Sequence, residues 1–163
     1  MNDYSGTSGS SENGKPVPAL GFQLANTIRS LEGLIEAAQF QAKVIVDDYW
    51  LKWRSSNRQL RSDDGGKFSG GEMAPRVVVK NEKVYLVWTR YRPGRVGNIS
   101  KSWGDDVKPT QRGYTLDQLT RKSPEWEARM IEDTENRLAP LRETLECLHE
   151  AKIKLRRIER KQS

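Results

Sequence analysis

Three arginines stand where a sheet core is expected. In KVYLVWTRYRPGRVGNISKSW, residues 83–103, Arg90, Arg92 and Arg95 fall beside Trp88, Tyr91 and Trp103. A guanidinium is a planar fork of donors that matches a phosphate or the edge of a guanine. Acid–base or metal chemistry has weaker candidates. In DDYWLKW (47–53), Asp47 and Asp48 are adjacent on a helix, so their side chains face different ways. Asp63-Asp64 and Asp105-Asp106 read as loop acids that form turns. Cys147 and His149, the one cysteine and the one histidine, lie two apart on a helical pattern. They share no face, and neither a nucleophile–base pair nor a ligand pair is supported. RPGRVGN has glycines but lacks both the strand–loop–helix context and the GK[ST] of a phosphate cradle. No catalytic residue, metal site or cofactor is read from the chain.

The arginines need elements to hold them, and composition bounds what those can be. Over 163 residues, 35% are hydrophobic and 31% charged, more polar than an average globular domain. An elongated shape, with more surface per residue, fits that balance better than one compact core. A single cysteine forbids a disulfide within the chain. No apolar run approaches the roughly 20 residues that span a bilayer, and the first twenty residues lack the apolar stretch of a signal peptide. The expectation is a cytoplasmic protein with no membrane partner.

Residues 1–20 are rich in Ser, Gly, Asn and Pro, a composition that buries too little to offset its ordering entropy, so this tail is expected to be disordered. The remainder, 21–163, is read as one elongated domain. Leu24, Ile28, Leu31, Ile35, Ala38, Ala42, Ile45 and Tyr49 recur at alternating spacings of four and three, the seam of a helix over 24–60. SDDGGKFSGG (62–71) breaks it. A β unit over 75–113 follows, with strands at 76–80, 83–91 and 96–103. Asn81-Glu82 makes a two-residue hairpin turn, and Arg92-Pro93-Gly94 turns the chain again. GDDVKPTQRG (104–113) is loop. Thr115 and Gln118 form a capping box that opens a short helix at 116–122. Ser123 and Pro124 start a long one at 124–160. There Ile131, Thr134, Leu138, Leu141, Leu145, Leu148 and Leu155 repeat the seam, with Lys152 the one polar break. Pro140 kinks this helix without ending it. The fold class is α+β: a long antiparallel helical hairpin with a small three-stranded antiparallel sheet inserted at its tip. A homodimer, in which either seam pairs across a two-fold axis, is the runner-up arrangement.

Charge is distributed unevenly over these elements. Residues 52–122 carry a net +9, although the whole chain carries only +6, which leaves −3 for the rest. A polyanion would therefore meet the β unit and its helix junctions, with double-stranded DNA as the first candidate. The expected DNA-contacting residues are Arg76, Lys80, Arg90, Arg92, Arg95, Lys101 and Arg112. On strand 83–91, the face with Val84, Leu86, Trp88 and Arg90, or part of it, is expected to pack on the helices near Trp50 and Trp53. The face with Tyr85, Val87, Thr89 and Tyr91 is left for solvent or nucleic acid. A basic three-stranded sheet backed by a helix resembles the sheets that enter the major groove in integrase arm-binding domains.

The order of these segments carries a second resemblance. DYWLKWRSSNRQL, then VYLVWTRYR, then GYTLDQL and SPEWEARMIEDTENRLAPLRETL resemble the MobI-type conjugative transfer proteins over roughly 47–145. These are mobilisation accessory factors of integrative conjugative elements and conjugative plasmids. The resemblance implies a role at a transfer origin, assisting a relaxase or another transfer protein rather than nicking DNA. It assigns no base-contacting residue. The alternative reading of the residues is a coiled-coil interaction and assembly module that does not touch DNA.

Overall fold

The computed structural model describes residues 19–63, 70–96 and 99–162. The described chain runs α1 (Leu20–Asp63), β1 (Met73–Lys80), β2 (Lys83–Val96), β3 (Ile99–Asp106), α2 (Leu116–Thr120) and α3 (Glu125–Gln162). The fold is α+β, as expected. The tail expected to be disordered lies outside the described residues as far as 18, and α1 begins four residues ahead of the anticipated start.

The two heptad seams pack on each other. Ile28, Ile35, Ala38, Ala42, Ile45 and Tyr49 of α1 are buried, as are Ile131, Thr134, Leu138 and Leu145 of α3. Each fully buried Ile or Leu contributes about 2 kcal/mol relative to exposure. The helices are antiparallel: Glu32 pairs with Arg156, Asp48 lies 3.7 Å from Arg137, and Trp53 reaches Glu127. Fully buried Ala42 marks a point where a small side chain admits the neighbouring helix. Pro140 sits inside α3, which runs on past it to Gln162.

The sheet leaves the hairpin at its tip and folds back along its flank. Met73 and Trp88 lie near the tip, with Tyr49 and Glu127, while the turn at Glu82 meets Arg156 farther down the hairpin. The strand order is β1-β2-β3, antiparallel throughout. Asn81 (φ 49°) and Glu82 (φ 60°) are both left-handed, which makes the turn the type I′ that matches strand twist. The expected turn at Arg92-Pro93-Gly94 is corrected: β2 continues through it, with Arg92 opposite Trp103 and Val96 opposite Ile99. Likewise, Asp105 and Asp106 belong to β3 rather than to a loop, opposite Arg90 and Thr89. In both cases pairing with a neighbouring strand overrides the local turn preference of Pro, Gly and Asp.

The face assignment on β2 holds only in part. Val84, Leu86 and Trp88 are buried in one cluster with the helix seams, and Tyr85 is exposed, but Thr89 is buried and Tyr91 packs against the cluster, its ring 5.4 Å from that of Trp50. Trp50 and Trp53 pack against that cluster. At α2, the Thr115 hydroxyl accepts from the Gln118 N–H at 3.2 Å, as the capping box requires. The Gln118 side chain does not return the bond; it donates to the Lys108 carbonyl at 2.6 Å. No helix among the described residues is long and apolar enough to cross a membrane.

Candidate functional site

β3 pairs with β2 only from Thr89 to Val96, so the first half of β2 keeps one edge without a strand. Unpaired backbone groups on such an edge must find other partners when buried. Helix α3 meets this edge with three polar residues spaced seven apart, one above another on the same face, two of which bond backbone groups of β2. Glu135 accepts from Trp88 Nε1 at 2.7 Å. Arg142 donates Nε to the Leu86 carbonyl at 3.0 Å, and both terminal nitrogens to Glu135 at 2.8 and 3.1 Å. His149 Nε2 accepts from the Val84 N–H at 3.0 Å. That bond places the proton of the neutral ring on Nδ1. Burial, with Lys152 and Lys83 nearby, pushes the His149 pKa down against the opposing pull of Glu146, so the ring remains the acceptor Val84 needs. The Arg142 guanidinium also lies 4.8 Å from the centre of the Tyr114 ring.

A second buried glutamate joins the sheet's start to the tip. Glu127 Oε1 accepts from Trp53 Nε1 and from the Met73 N–H, each at 2.9 Å. Burial raises its pKa, and these hydrogen bonds, with help from Ser123 and Glu72, only partly oppose the rise. Tyr49 donates to the Met73 carbonyl at 2.7 Å and Trp50 Nε1 to the Pro75 carbonyl at 3.1 Å. Gly71 is required by this crowding: a Cβ there would stand 2.5 Å from Glu127 Oε1 and 2.6 Å from Trp53 Nε1. Sequence reasoning missed Glu127, Glu135 and Arg142. The signal was present for two of them: Glu135, Arg142 and His149 repeat at the heptad interval beside the apolar seam.

The expected DNA-contacting residues divide into three groups. Arg76 is held within the sheet, donating Nε to Thr89 Oγ1 at 2.8 Å and Nη2 to Asp106 at 2.6 Å. The Thr89 hydroxyl, which also bonds Asp106, and then Arg76 hold that carboxylate below its ordinary range despite some desolvation. Arg90 is on the helix-facing side, its side chain 17% exposed and 3.9 Å from Glu72. By register, Arg76 sits opposite Val87 and Arg90 opposite Met73, so the two arginines occupy opposite faces. Lys80, at the end of β1, and Arg112, in the turn closed by Thr110 and Gly113, are exposed. The side chains of Arg92, Arg95 and Lys101 lie outside the described residues.

Among the described residues, the structure therefore brings these cations to no convergent pocket. Arg76 and Arg90 each have an acidic neighbour, while Lys80 and Arg112 enter no ion pair among the described residues. Asp48, one of the paired acids on α1, is bound to Lys52 at 2.8 Å, and its pKa is lowered chiefly by that bond. Cys147 is exposed while His149 is buried, so the two serve separate surroundings.

Comparison with known proteins finds one family. The family model described as MobI protein matches residues 38–156, well over half of the chain, from the middle of α1 through most of α3. No curated protein and no solved structure matches the chain.

Proposed function

The chain belongs to the MobI family of conjugative mobilisation proteins, and from that premise we propose that it is a DNA-binding accessory factor. It acts on double-stranded DNA at a transfer origin and assists a relaxase, and carries out no catalysis itself. The observation that supports this reading is the concentration of charge: +9 in residues 52–122 against −3 elsewhere, on the segment that forms the sheet and its junctions. Lys80 and Arg112 are the exposed cations of the expected set with no ion pair among the described residues. Arg92, Arg95 and Lys101 complete the set from sequence. Arg76 and Arg90 now serve better as sheet residues than as first contacts, because each would have to leave an acidic neighbour to meet a phosphate.

Duplex binding across a salt series tests this. Neutralised phosphates release counterions, so affinity should fall steeply between about 50 and 200 mM salt. Replacing Lys80 or Arg112 by Ala should weaken binding to any sequence and reduce the magnitude of the log–log salt slope by about one per lost phosphate contact. A transfer-origin duplex should bind more tightly than a random one. Absence of duplex binding at the lowest salt would overturn the proposal. The alternative, an assembly module that contacts only proteins, would then stand, supported by the commitment of Arg76, Arg90 and Arg142 to contacts within the chain.

A further inference from the structure

Both seams that could have served a homodimer are consumed within the chain, yet α1 carries a second one. On the side away from α3, Ala37, Phe40, Val44, Asp47 and Leu51 repeat at spacings of three, four, three and four. The large apolar members are open: Phe40 is 70% exposed, Leu51 68% and Val44 51%. A heptad stripe of this kind on a helix already packed on its other side calls for a further helix. Beside the stripe runs a groove of about 570 Å³ between α1 and β1, lined by Val46, Trp50, Leu51 and Val77 among others.

Charge identifies the occupant. Lys43 and Asp47 flank Val44, one turn apart on α1, and neither enters a hydrogen bond or ion pair among the described residues. In an antiparallel pair of α1 helices with the two-fold axis between Ile45 and Val46, residue numbers that face each other sum to a constant. Phe40 then meets Leu51 of the second copy, at the mouth of its groove, and Val44 meets the level of Asp47. Asp47 comes beside Lys43 of the second copy, and the reciprocal pair forms across the axis. An isologous interface needs such self-complementarity. A parallel pairing would instead set Asp47 against Asp47. We propose that the outer face of α1 is a homodimer interface, antiparallel about this axis, with Phe40 as the anchor and Lys43–Asp47 as the reciprocal ion pairs. The proposal does not depend on DNA binding.

Sedimentation of the full chain over a range of concentrations tests it. The chain should sediment as a dimer, and Phe40→Ser should make it a monomer that keeps its far-ultraviolet circular dichroism spectrum, because the ring is exposed within one copy. Lys43→Glu alone and Asp47→Lys alone each place like charges across the axis and should weaken self-association at least about tenfold. Mixing these two variants should restore dimers, since every cross-axis pair in the heterodimer is then of opposite sign. A chain that remains monomeric up to the highest soluble concentration would overturn the proposal and leave the stripe to a helix of another protein. Dimers that survive Phe40→Ser, or single variants that do not recover on mixing, would overturn it as well.

Discussion

Glu127 shows how one buried side chain can organise a junction. Its Oε1 holds both an indole N–H of α1 and a backbone N–H at the start of β1. Removing it altogether leaves two buried donors without a partner, each costing about 1–3 kcal/mol. Glu127→Ala should therefore destabilise the protein by several times as much as an average surface change, measured by urea unfolding. Glu127→Gln keeps the carbonyl acceptor and removes a buried charge. Its effect should depend on pH in a definite direction. Burial raises the folded-state pKa above the ordinary value near 4.5, so over that interval the folded state holds a proton that the unfolded state releases. The stabilisation linked to that proton is complete below about pH 4.5 and is lost as pH rises through the folded pKa. Relative to the parent, Glu127→Gln should thus be more favourable at pH 8 than at pH 5. The reverse trend would show that the carboxylate is ionised and well solvated in the fold.

At the scale of elements, α3 does two tasks with two adjacent stripes. Its apolar seam closes the helical hairpin, and its Glu135–Arg142–His149 stripe serves the open edge of β2. Pro140 lies between these contacts, on the exposed side. A proline inside a helix forfeits one backbone hydrogen bond and crowds the preceding turn, at a cost of about 3 kcal/mol. Pro140→Ala restores the backbone donor and should raise stability by about 1–3 kcal/mol in urea unfolding. A loss of stability instead would show that Arg142 and His149 need the backbone that Pro140 imposes to reach the sheet together.

For the whole molecule, one cluster of buried side chains joins α1, α3, α2 and the first two strands. The one-domain reading then predicts a single cooperative transition. Tryptophan fluorescence, to which Trp50, Trp53 and Trp88 contribute from the helix–sheet junction, should follow the same urea curve as the far-ultraviolet signal of the helices. Separate curves would mean that the sheet unit and the helical hairpin unfold independently.

Much of this architecture was legible in residue order. Helix and strand patterns have different periods, so the seams of α1 and α3, the Asn81-Glu82 turn and the burial of Val84, Leu86 and Trp88 on β2 could all be read before any contact was known, whereas the burial of Thr89 could not. Local preference misled at Arg92-Pro93-Gly94 and at Asp105-Asp106, where pairing across β2 and β3 outweighed turn propensity. The charge asymmetry, too, belongs to the sequence, because net charge needs no geometry. What only the tertiary structure decided is which of those charges remain available. Whether an arginine meets solvent or an acid depends on strand register and on which residues the fold brings within a few ångströms, and so Arg76 met Asp106, thirty residues away, while Lys80 was left exposed. The same holds for the brace on β2: that a strand edge would be left open opposite α3 follows from where β3 stops pairing, and no periodicity records that.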